Sequence, residues 1–167
     1  MTDPDGLERL WAPYRMAYVR EAGTSEGCPF CAMVRGERGD ELLVVRADHC
    51  FVAMNLFPYN PGHLMVLPHR HVSDLTELTP GESAELTALT QQAIRATREI
   101  STPHGFNVGL NLGSAAGGSI SAHLHQHVVP RWGGDANFMT VVGRTKTLPQ
   151  TIEESAHLLR SVWEKVA

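Results

Sequence analysis

His123-Leu124-His125-Gln126-His127-Val128-Val129-Pro130 is the stretch on which the reading of this chain turns. On a strand alternate side chains share a face, so His123, His125 and His127 point one way while Leu124 and Val128 point the other. An imidazole is largely neutral near physiological pH, nucleophilic at one ring nitrogen and able to donate from the other. A row of three can hold a metal, or it can supply an attacking atom with its orienting partners. Just upstream, Gly113-Ser114-Ala115-Ala116-Gly117-Gly118-Ser119 offers backbone N–H groups where an anion can approach without meeting a Cβ. A glycine-rich loop alone says little. Beside three co-facial histidines it points to chemistry at a phosphate.

Outward from this block the chain divides into strands and two helices. Leu42-Leu43-Val44-Val45, His49 to Asn55 and Gly62 to Pro68 are apolar or β-branched runs separated by turn residues, with Asn60-Pro61-Gly62 the clearest turn, and they predict an antiparallel meander. From Pro80 to Ile100 apolar residues recur mostly three or four apart, with Thr79 placed to cap and Glu82 three residues on; this predicts the main helix. Strands resume at Gly105 to Leu112 and Leu124 to Pro130. After a cap at Thr151, the spacing of Ile152, Ala156, Leu159, Trp163 and Val166 predicts a closing helix. The expectation is an α+β domain over residues 28–167, preceded by an N-terminal arm and loop over 1–27.

Size and charge narrow the function. A chain of 167 residues, 43% hydrophobic and 19% charged, suits one domain with a real core. A formal net charge of -4 gives no electrostatic case for a nucleic-acid partner. No apolar run approaches the ~18 residues of a spanning helix, and the start MTDPDG lacks the basic and apolar regions of a secretory signal, so no membrane and a cytoplasmic location are expected. Three cysteines, two of them in Cys28-Pro29-Phe30-Cys31, suit a reduced compartment and a metal site better than a disulfide framework; Cys50 reads as a buried filler. Two thiolates need two further ligands to close a tetrahedral zinc site.

HLHQHVV, followed by Pro130, resembles the signature of the histidine-triad (HIT) superfamily of nucleotide hydrolases and transferases. The segment NPGHLMVLPHRHV (60–72) resembles that family's strand-and-loop block, and CPFC its zinc-binding pair. LWAPYRMAY (10–18) and PRWGGDANF (130–138) are most similar to the branch that contains diadenosine tetraphosphate phosphorylases. The resemblance implies that His125 is the nucleophile and that His127 contacts the phosphate or the leaving oxygen. It also implies that a carbonyl of a neighbouring strand residue fixes the tautomer of the nucleophile. His63 matches a histidine near the reacting phosphate, and Asn111, Gly118 and Ser119 match the phosphate-binding loop. Leu56 to Asn60, with Phe57, falls where the base and ribose pocket begins, and Asn55 is a candidate for the ribose hydroxyls. Structural zinc is implied at Cys28, Cys31, His71 and His123, with His69 and His49 as competing ligands.

Many hydrolases of the family carry a glutamine where Gly118 stands. The room left by its absence reads as a pocket for inorganic phosphate. The expected activity is therefore cleavage of a dinucleoside polyphosphate by inorganic phosphate, in a homodimer or higher homo-oligomer. The alternatives are a hydrolase of dinucleoside polyphosphates or adenylyl amides that yields AMP, and a nucleotide-binding or zinc-scaffold protein that does not turn over.

Overall fold

The structure, a computed structural model, describes residues 27–116, 120–135, 142–143, 145 and 148–167. Most of the N-terminal arm, Gly118 and Ser119 therefore lie outside the described residues. Helix α1 (Pro29–Val34) is followed by strands β1 (Leu43–Arg46), β2 (Cys50–Met54) and β3 (Leu64–Pro68). Helix α2 (Pro80–Ser101), strands β4 (Gly105–Leu110) and β5 (Gln126–Arg131), and helix α3 (Ile152–Trp163) complete the fold. All strand pairings are antiparallel, in the order β1-β2-β3-β5-β4. The expected meander is β1 to β3, and the α+β architecture is as the periodicity implied.

Local chemistry sets the helix starts. Thr79 Oγ1 accepts from the Glu82 N–H at 3.2 Å while Glu82 accepts from the Thr79 N–H at 2.8 Å, a reciprocal cap that satisfies two otherwise orphaned donors. Pro80 follows at the first helical position, where its missing N–H costs nothing. Thr151 and Glu154 repeat the device at α3. Glu82 also takes both arms of Arg70, at 2.9 and 2.8 Å, and this guanidinium is the main reason its carboxyl titrates at about 2.

Helices α2 and α3 bury Leu86, Leu89, Ala93, Ala96, Ala156, Leu159 and Trp163 with the sheet in one core. Every residue of β2 and β3 is buried. That explains why CFVAM and LMVLP read as unbroken apolar runs rather than as an alternation. Phe51, Leu64, Leu67 and Leu159 are fully buried, each worth roughly 1.5–3 kcal/mol over exposure. Cys50 is fully buried as well, and desolvation first among its causes pushes its thiol up to about 12, so it is an inert filler.

The histidine block departs from the sequence expectation in one respect. β5 begins at Gln126, so His123 and His125 precede the strand instead of lying on it. Pro68 at the end of β3 has no N–H with which to continue the ladder, and its carbonyl is taken by His123 Nε2 at 3.0 Å. The chain there pairs instead through the Leu124 N–H and the Val72 carbonyl. All three imidazoles are buried, but they divide into two groups: His123 packs edge-on to His71, with ring centroids 5.2 Å apart, while His125 and His127 stay together at 4.9 Å.

Candidate active site and metal-binding cluster

Among the described residues, one backbone acceptor holds His125. Its Nδ1 lies 2.8 Å from the carbonyl oxygen of His123, a group that can only accept, so Nδ1 carries the proton and Nε2 keeps its lone pair. The tautomer expected of a nucleophile is thus imposed by the carbonyl of the residue two positions earlier in the same segment. Phe30, between the two cysteines, packs against the rings of His123 and His125 at centroid distances of 5.5 and 5.4 Å. Burial, opposed by the bond to His123, lowers the pKa of His125 and favours its neutral, nucleophilic form.

His127 belongs to a second relay. The register pairs Met65 with His127, which sets His63, two residues away on the same face, diagonally beside it. The N–H of Tyr59 donates to His63 Nδ1 at 3.0 Å, and the Asn55 amide nitrogen stands 3.4 Å from the same atom. Nδ1 of His63 therefore accepts and its Nε2 carries the proton, which it gives to His127 Nδ1 at 2.9 Å. Burial, and secondarily the charge of His125, drives the pKa of His127 down to about 4, so the ring is neutral near pH 7. A neutral ring that accepts at Nδ1 must donate from Nε2. That nitrogen lies 3.3 Å from Asn111 Nδ2, and because two donors cannot pair, Asn111 accepts from it only with the amide turned to present its Oδ1. One imidazole thus offers a lone pair and its neighbour an N–H, the complement needed to attack phosphorus and to hold charge on its oxygens.

His63 is completely buried and backs His127. Asn55, expected at the ribose, accepts from the Phe57 N–H at 2.9 Å and turns its amide nitrogen to His63, so its polar atoms are engaged in shaping the turn. Phe57 is 55% exposed beside Leu56 and Tyr59. Tyr59 covers His63 and His127 at 4.6 and 5.5 Å between centroids. Arg131 is committed to Asp135 and to Asn107. Phe30, the Tyr59 amide and the Pro68 carbonyl escaped the sequence reading: the last two are backbone groups common to every residue, and Phe30 carries no signal beyond lying inside CPFC.

The second cluster joins distant parts of the chain. One ligand atom from each of Cys28, Cys31, His71 and His123 can be chosen so that all lie within 4.8 Å of one another. His123 Nδ1 is 3.4 Å from Cys28 Sγ and 3.5 Å from Cys31 Sγ, and His71 Nδ1 is 3.2 Å from Cys31 Sγ. Metal–sulfur bonds of about 2.3 Å and metal–nitrogen bonds of about 2.0 Å meeting at tetrahedral angles put neighbouring ligand atoms roughly 3.5 Å apart. The donor set and its spacing therefore fit a four-coordinate metal. His123 donates from Nε2 to Pro68, which leaves Nδ1 bare toward the cysteines, the usual way an imidazole ligand is oriented from behind. His69 lies outside this cluster; its ring stacks on Phe51 and its Nε2 pairs with the Ala47 carbonyl at 2.9 Å. His49 also lies outside the cluster.

Comparison with known proteins places this geometry. The HIT domain model matches residues 37–134. The AP-4-A phosphorylase of Mycobacterium tuberculosis is 51% identical over 169 aligned residues, covering 96% of this chain and 87% of that protein. A zinc-bound histidine triad family protein from Mycobacterium smegmatis superposes with a TM-score of 0.69 at 31% identity, over 84% of this chain and 95% of its own. A histidine triad nucleotide-binding protein from Sulfolobus tokodaii shares the fold with a TM-score of 0.69 at 23% identity, over 83% of this chain and 93% of its own. With the family model spanning more than half of its length and the histidine block folded as described, this chain belongs to the HIT domain family.

Proposed function

We propose that the protein is a nucleotidyltransferase that cleaves diadenosine tetraphosphate with inorganic phosphate to ATP and ADP. The observation that carries this reading is the pairing of a lone-pair donor, His125, with an N–H donor, His127, in a chain half identical to an AP-4-A phosphorylase. His125 Nε2 attacks the α-phosphorus, an N–P bond forms, and the bond to the bridging oxygen breaks to release ATP. An oxygen of phosphate then attacks the adenylyl-histidine, forming ADP and returning the electron pair to Nε2. Two displacements replace one difficult step. His127 Nε2–H and backbone N–H groups of the loop beginning at Gly113 stabilise negative charge on the phosphoryl oxygens. Asn111, Gly118 and Ser119 are assigned to that loop, and Phe57 to the base.

Zinc is the metal we assign to Cys28, Cys31, His71 and His123, where it supplies a structural cross-link and no Lewis acid. The reading puts the enzyme in the cytoplasm, where such thiolates stay reduced. No helix among the described residues is long and apolar enough to cross a membrane. A homodimer or larger homo-oligomer is supported by β4, an edge strand with Val108 46% exposed and Leu112 39% exposed just beyond it.

Water competes for the same intermediate, so the preference for phosphate must come from a site that holds it close. Incubation with diadenosine tetraphosphate and phosphate should yield ATP and ADP. Gly118→Gln, which refills the proposed phosphate volume, should lower the ADP-to-AMP ratio, whereas Ser119→Ala should slow turnover without changing that ratio. A parent enzyme that makes only AMP and ATP in abundant phosphate would establish hydrolysis instead.

A further inference from the structure

Asp135 lies in the loop beyond β5, and its side chain is only 10% exposed. Its Oδ2 accepts from Asn60 Nδ2 at 2.6 Å, from Arg131 Nε at 2.6 Å and from the Trp132 N–H at 3.2 Å, and its Oδ1 accepts from Arg131 Nη2 at 3.0 Å. A carboxylate is an acceptor with two oxygens, suited to four converging donors. The carboxylate of Asp135 is taken up by the protein's own groups, Asn60, Arg131 and the Trp132 N–H.

Asn60 is what connects it to the reaction. This side chain is 2% exposed, and its Nδ2 donates to the Pro130 carbonyl at 2.9 Å as well as to Asp135. Its backbone carbonyl accepts from the His63 N–H at 3.2 Å. Asn60 is thereby fixed to β5 on one side and to His63 on the other. The residue before it, Tyr59, supplies the N–H that makes His63 Nδ1 an acceptor. Asp135, Asn60, the Tyr59 amide, His63 and His127 thus form one connected path that ends on the nitrogen facing the candidate phosphate site.

We propose that Asp135 is a positioning residue for nucleotidyl transfer: by clamping Asn60 it holds the Tyr59 amide on His63, and so keeps the proton of His127 on Nε2. The proposal rests on the function proposed above for its kinetic consequence, and not for its tautomeric one. Release of the turn lets His63 adopt its other tautomer, with the proton on Nδ1 and a lone pair on Nε2. His127 then places its own proton on Nδ1 to pair with that lone pair. Each ring still carries one proton and no charge is gained, but His127 now presents a lone pair, instead of an N–H, to the phosphoryl oxygens.

The test uses the full-length, metal-loaded protein with 15N-labelled histidine, in which long-range 15N–1H spectra distinguish the two tautomers of each ring. In the parent, His63 and His127 should both be Nε2–H. Asp135→Asn, isosteric but carrying a donor where an acceptor is needed, should move His127 toward Nδ1–H and lower kcat about tenfold with KM changed less than about twofold, the size expected of a misplaced catalytic group. Asn60→Ala leaves the Asp135–Arg131 pair intact and should shift the same tautomer, which separates the clamp from the ion pair. Unchanged tautomers in both variants would overturn the clamp. Changed tautomers with kcat within about twofold of the parent would overturn its part in the reaction. A parent that forms no ATP and ADP is a separate failure, of the function itself, and the spectra would still decide the clamp.

Discussion

His125→Gly should abolish turnover of diadenosine tetraphosphate, by about 10⁴-fold or more, while leaving the protein folded and able to bind nucleotide. The magnitude is that of removing a nucleophile whose loss no neighbour can replace. His127, the adjacent imidazole, cannot substitute, because its Nδ1 accepts from His63 and its Nε2 bears a proton. The fold should survive because the described partners of the ring are one backbone carbonyl and the rings of Phe30 and His127, none of which depends on His125 for its own place in the core. The space left by the ring should admit free imidazole, which restores a measurable part of the activity by acting as an external nucleophile. Steady-state rates of the purified variant, with and without imidazole, check this; activity within tenfold of the parent would contradict covalent catalysis at His125.

Metal removal should produce the next largest effect. The protein as purified should carry about one zinc per chain, from the four-ligand set, and Cys28→Ser/Cys31→Ser should carry none. The melting temperature should fall by about 10 °C or more, since the ligands come from α1, from the segment after β3 and from the approach to β5, and a shared metal ties these together. Activity should fall as well. His123 is at once a ligand and the owner of the carbonyl that orients His125, and Phe30 between the cysteines packs on both rings. Elemental analysis and thermal unfolding of parent and variant decide the matter. Full metal retention in the double variant would show that the ligands were wrongly chosen.

The parts of this fold that sequence made legible are those whose causes are local. Helix α2 was readable because Thr79, Pro80 and Glu82 form a cap within four positions, and because its apolar face repeats at helical spacing. Strands β2 and β3 were readable as apolar runs between turns. Their order was not: placing β5 between β3 and β4 depends on pairings between residues as far apart as Met65 and His127, which no periodicity encodes. The same limit applied in the site. His69 and His71 share a parity in an extended chain, so spacing could not choose between them as ligands. The tight turn in which the Val72 N–H donates to the Arg70 carbonyl breaks that alternation and sends His71 to the cysteines, while His69 stacks on Phe51. Asn55 was a ribose candidate through the resemblance of its segment to the family's pocket; its bonds to Phe57 and His63 are a further role that appears only when the turn is folded.

The most direct measurement for the account as a whole is to trap the covalent intermediate. The parent protein, mixed with diadenosine tetraphosphate labelled at the α-phosphorus in the absence of inorganic phosphate and quenched in alkali, where a phosphoramidate bond persists, should carry label on the protein. Peptide mapping should place one adenylyl group on His125, and a chase with phosphate before the quench should discharge it as ADP. Label absent from the protein while product forms, or attached to a residue other than His125, would contradict the mechanism.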